Sequence, residues 1–99
     1  MYKLVRDLIP DIIPIGIRHL WKFSVVYKEQ YSILLKNKLQ EEVSEYLEYE
    51  NEEELADILE VIDAIIISKG FSKEKIMEIK QQKKLDVGGF KKQILMEKI

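Results

Sequence analysis

Two acidic clusters stand close together in the middle of the chain, Glu41-Glu42-x-x-Glu45 and Glu54-x-x-Asp57, within the stretch EEVSEYLEYENEEELAD from Glu41 to Asp57. Residues three apart share one side of a helix, and a short polar turn between two helices would set the two clusters face to face. Carboxylates are hard oxygen donors. A set of them without His or Cys suits Mg²⁺ or Mn²⁺ and does not suit zinc. The competing reading is that these acids are ordinary solvated charge, with Glu54 only closing a capping box, because Glu-x-x-Glu and Glu-x-x-Asp are each common in helices.

The azimuths of the acids weigh between these readings. At about 100° per residue, a helix from Asn51 to Lys69 places Leu55, Ile58, Leu59, Ile62 and Ile66 on one face and Glu60 and Asp63 opposite, with Ala56 and Ile67. Asp57 shares its direction with Val61 and Ala64, and Glu54 shares its own with Ile58, Val61 and Ile65. Both acids therefore begin a stripe that continues apolar, where a lone carboxylate is costly to desolvate. Glu42 lies beside Leu39 and Tyr46 at the border of the preceding apolar stripe, with Glu45 one step further round. Four carboxylates converging without a cation would repel one another and weaken the hairpin.

The elements that position these acids are legible in the apolar spacing. Leu35, Leu39, Val43, Tyr46 and Leu47 recur at three- and four-residue steps and predict a first long helix from Tyr27 to Glu50. Asn51 caps the next helix, and Gly70 supplies a left-handed stop after Lys69. Ser72 caps a third helix carrying Ile76 and Ile79, which frays into Asp86-Val87-Gly88-Gly89. Upstream, Val5, Leu8, Ile9, Ile12 and Ile13 have helical spacing, but Pro10 and Pro14 restrict that helix to a short piece. Trp21, Phe23 and Val25 alternate with Lys22 and Ser24 as in a short strand or extended arm, and FKKQILMEKI at the end offers a strand to pair with it. The expected fold is all-α, a helical bundle built on an antiparallel helix hairpin, with the option of a short peripheral strand pair.

Composition bounds the rest. The 99 residues are 46% hydrophobic and 34% charged with only four Gly and two Pro, which fits one ordered, helix-rich domain over residues 1–99. A net charge of −2 speaks against a nucleic-acid partner. There are no cysteines, so disulfides and thiolate metal sites are excluded. No apolar run approaches a membrane span and MYKLVRDLIP lacks a signal-peptide core, so the expectation is a cytoplasmic protein without a membrane partner. Ile65, Ile66 and Ile67 point in several directions around one helix, and burying them needs neighbours on more than one side, which predicts a homo-oligomer, at least a dimer.

The order KLVRDLIP, then EExxE, then ELAD, then a helix leading into GGF resembles the all-α nucleotide pyrophosphohydrolases, the MazG-like group that includes phosphoribosyl-ATP pyrophosphohydrolases. The resemblance runs over nearly the whole chain. It implies that Glu42, Glu45, Glu54 and Asp57 bind Mg²⁺ and that a nucleoside triphosphate is cleaved between its α and β phosphates, giving a nucleoside monophosphate and pyrophosphate. The substrate alternative within the group is phosphoribosyl-ATP; the alternative outside it is a non-catalytic helical dimerisation or regulatory module. Phosphoryl transfer needs charge neutralisation and an aligned water more than a covalent nucleophile. A carboxylate outside the cation's own ligands could take a proton from that water, and Glu41 is the candidate. Lys80 and Lys83 lie where members of the group carry phosphate contacts, and Lys3 and Arg6 sit in the KLVRD segment. The chain departs from the group at Leu8 and Val87, where a basic residue is common. His19, the single histidine, lies outside the motif.

Overall fold

A computed structural model describes residues 2–99, and the order along the chain is α1 (Ile9–Ile12), α2 (Ile15–Arg18), α3 (Lys28–Tyr49), α4 (Glu52–Lys69) and α5 (Lys73–Val87). The all-helical expectation holds. Pro10 occupies the first turn of α1, where its missing N–H costs nothing, and Pro14 precedes α2, so the prolines leave two single turns instead of one longer helix. Among the described residues no strand forms. The segment 21–27 and the chain beyond α5 are irregular, so the optional strand pair is not made. Two strands alone have no layer to cover their apolar face, which leaves such a pairing marginal.

The hairpin is held by its ends. Glu50 takes a left-handed conformation with φ of 48° and donates its N–H to Tyr46 O at 2.7 Å. Asn51 follows in extended backbone, and its Oδ1 accepts the Glu54 N–H at 3.0 Å. Reversal of the chain thus takes two residues, and an asparagine cap of this kind stabilises a helix by about 1 kcal/mol. At the far end of α4, Gly70 with φ of 69° donates to Ile67 O while Phe71 N–H reaches Ile66 O, the two bonds of a Schellman stop. Ser72 Oγ accepts the Lys75 N–H and starts α5, which runs on through Asp86 to Val87.

Among the described residues only α3 and α4 are in broad contact. Leu35, Val61 and Ile66 are buried between them, flanked by half-buried Tyr31, Leu39, Tyr46, Ile58, Ala64 and Ile65. The inward face of α4 is therefore the stripe headed by Glu54 and Asp57. Leu55, Leu59 and Ile62, grouped by sequence on one face, are exposed, as are Val43 and Leu47 of α3. The hairpin buries one stripe of each helix and leaves a second apolar stripe uncovered.

The uncovered area is large. A compact chain of this mass exposes roughly 5,900 Å² and has a radius of gyration of about 13 Å, whereas this one exposes 9604 Å² with a radius of 17.9 Å. Among the described residues no helix is long and apolar enough to cross a membrane.

Candidate functional site

Glu42 stands near the end of α3 and Glu54 and Asp57 in the first turns of α4, so the two-residue turn brings them across from one another. One carboxylate oxygen from each lies within 4.8 Å of the others. Glu42 is 6% exposed, and among the described residues it is the one charged side chain in the buried class. Its Oε1 is 3.1 Å from Lys38 Nζ. Its Oε2 and the Oε2 of Glu54 are buried with no hydrogen-bond partner among the described residues. Glu54's backbone uses the Asn51 cap, but its carboxylate does not return the bond to the Asn51 N–H among the described residues. The capping-box reading of Glu54 is thus half made, and the acid points its oxygens elsewhere. Burying two carboxylate oxygens without partners, next to a third acid, is unfavourable unless something cationic completes them.

Of the four acids expected as ligands, the fold brings three together. Glu45, also half-buried on α3, is outside the group whose oxygens converge. Three carboxylates within 4.8 Å form a donor set for a hard divalent cation, with room for water on the remaining positions.

Three cations from two places, the N-terminal segment and α3, pair with the acids. Arg6 Nη2 donates to Asp57 Oδ1 at 2.7 Å, and Lys3 Nζ lies 3.4 Å from Glu41 Oε1. Lys38 bridges Glu41 Oε2 and Glu42 Oε1, each at 3.1 Å. The KLVRD segment therefore lies against the acidic end of the hairpin. Lys38 was not among the sequence-derived candidates, although its spacing of three and four residues before Glu41 and Glu42 is the pattern of helical ion pairs. Lys80 and Lys83 sit exposed on α5, and among the described residues neither is bonded to an acid of the cluster.

Glu41 has both oxygens paired. Burial pushes its carboxyl up, but the hydrogen bond and charge of Lys38, with the charge of Lys3, outweigh burial and hold it below its ordinary 4.5. Burial likewise pushes Lys38 down, and its bonds to Glu41 and Glu42 override that and raise it above 10.5. Glu41 is thus ionised at neutral pH but engaged by two ammonium groups, and accepting a proton requires one of them to leave. Beside it opens a cleft of about 230 Å³ between the N-terminal segment and α3, lined by Tyr2, Lys3, Asn37, Lys38 and Glu41 among others. Its charged lining is Glu41 together with the two lysines that pair with it, Lys3 and Lys38.

Comparison with protein-family models, with curated proteins and with solved structures found no match to this chain.

Proposed function

We propose that this chain is a Mg²⁺-dependent nucleoside triphosphate pyrophosphohydrolase that cleaves the α–β phosphoanhydride to a nucleoside monophosphate and pyrophosphate. The observation that carries the reading is the convergence of Glu42, Glu54 and Asp57 with two buried carboxylate oxygens lacking partners. The ordered set KLVRD, EExxE and ELAD supports the substrate class, since the same three segments are the ones the fold draws together. In this reading Glu42, Glu54 and Asp57 hold Mg²⁺ or Mn²⁺ with water on the remaining positions, and Glu45, outside the converging group, is not a ligand in this arrangement. When bound, the cation neutralises phosphate charge and activates water.

The chain's own groups do the rest. Lys3 and Arg6 balance the phosphate charge from the rim, and Lys38 fixes Glu42 in its buried position. Glu41 takes the proton of the attacking water once Lys3 turns to the phosphate. Lys80 and Lys83 on α5 are bonded to no acid of the cluster among the described residues, and this reading gives them no part in holding the cation. A cytoplasmic homo-oligomer, at least a dimer, fits the exposed area: the excess over a compact monomer, roughly 3,700 Å², is more than one partner contributes to an ordinary stable interface of about 800 Å² a side.

The test is pyrophosphate release from a panel of nucleoside triphosphates and phosphoribosyl-ATP, with and without Mg²⁺, in the wild type and Asp57→Asn. Mg²⁺-dependent release lost in the variant is the expected result, and the preferred substrate separates the two enzyme readings. No release from any of them refutes catalysis and leaves a helical interaction module.

A further inference from the structure

Resting on the proposed cation site, we propose that the N-terminal segment is a strap that the cation operates: Arg6 is the built-in counter-ion of Asp57 and gives up that place when a divalent cation binds. The geometry sets up a competition. Asp57 is one of three carboxylates whose oxygens converge within 4.8 Å, and its Oδ1 is already taken by the Arg6 guanidinium at 2.7 Å. A divalent cation on the same carboxylate would stand a few ångströms from a full positive charge, and the two repel. The cluster has independent reason to take a ligand, because Glu42, with only 6% exposure, keeps an Oε2 that neither Arg6 nor any other described residue partners.

The strap is also held weakly enough to move. Residues 2–6 carry no regular secondary structure, and their side-chain bonds to the hairpin are Arg6 to Asp57 and Lys3 to Glu41. The two cations are 59% and 56% exposed, and exposed pairs of this kind contribute little. Three carboxylates closing on a divalent cation outbid one exposed guanidinium. Once freed, Arg6 is an unpaired cation three residues from Lys3, which lines the cleft. Cation binding thus releases a positive charge for an anion, so the two ligands bind with positive coupling.

The experiment is a calorimetric Mn²⁺ titration of the full chain as wild type, Arg6→Gln, Lys3→Gln and Asp57→Asn. It is paired with phenylglyoxal labelling followed by mass spectrometry. The chain has two arginines, Arg6 and Arg18, and Arg18 is the internal control because it touches no acid, donating instead to Ile13 O. The expected results are Mn²⁺ affinity about two- to fivefold tighter in Arg6→Gln, the factor that loss of one exposed competing pair allows, and a smaller change in Lys3→Gln. Arg6 labelling speeds up with Mn²⁺ while Arg18 labelling does not. Mn²⁺ binding that is equal in wild type and Arg6→Gln, or that leaves Arg6 labelling unchanged, overturns the strap and keeps the cation site. An equal gain in Lys3→Gln also overturns it, since general charge then explains the effect. Mn²⁺ binding that persists unchanged in Asp57→Asn, or is absent throughout, overturns the site itself and the strap with it.

Discussion

Glu42→Gln is expected to stabilise the cation-free protein and to abolish stabilisation by Mg²⁺. Two carboxylates at 4.8 Å repel by about 3.5 kcal/mol at an effective dielectric constant of 20, and Glu42 faces two of them, Glu54 and Asp57, at up to that distance. Against this stands its attraction to Lys38 at 3.1 Å, about 5 kcal/mol on the same scale. The balance favours the neutral amide by about 2 kcal/mol. Asp57 is partly exposed and already paired with Arg6, so screening reduces the gain to about 1 kcal/mol. In a chain of this size that raises Tm by about 4–8 °C. Saturating cation reverses the order: at a hundred times its Kd it stabilises the wild type by about 2.7 kcal/mol, and the variant, having lost a ligand charge, gains much less. Thermal melts of both proteins in EDTA and in graded Mg²⁺ should therefore cross. A variant that melts below the wild type in EDTA would show that the acids do not repel as drawn, and parallel Mg²⁺ responses would remove Glu42 from the cation site.

Two further outcomes follow from the same geometry. Glu41's folded carboxyl lies below its ordinary 4.5, so its contribution is present above that value and is lost as pH falls through the folded one; Lys38, raised above 10.5, contributes below its ordinary value and loses that only at strongly alkaline pH. The urea midpoint of the wild type should thus exceed that of Lys38→Met at neutral pH, and the gap should narrow below about pH 4.5; a gap independent of pH contradicts the pairing. Sedimentation equilibrium should show at least a dimer, and Leu59→Glu on the exposed stripe of α4, where Leu59 is 63% exposed, should shift it toward monomer. A wild type that is monomeric at tens of micromolar, or a Leu59→Glu dimer of unchanged strength, removes that stripe from the interface.

Local chemistry made much of the fold legible in advance. The Asn51 cap, the Gly70 stop and the Ser72 cap mark helix ends through bonds between neighbours in the chain, and all three stand where they were expected. The start of an apolar stripe at Glu54 and Asp57 was equally readable, because helical azimuth depends only on residue count. Three things waited for the tertiary structure. Which of two apolar stripes on α4 faces α3 depends on how the hairpin closes, and it closed on the stripe headed by the acids, leaving Leu55, Leu59 and Ile62 outside. Glu45 and Glu42 have the same spacing logic, yet only Glu42 joins Glu54 and Asp57, since convergence depends on the distance between helices and not on periodicity within one. The pairing of Arg6 with Asp57 spans 51 residues. Sequence could name both groups as charges that matter, but only the folded chain could set one against the other.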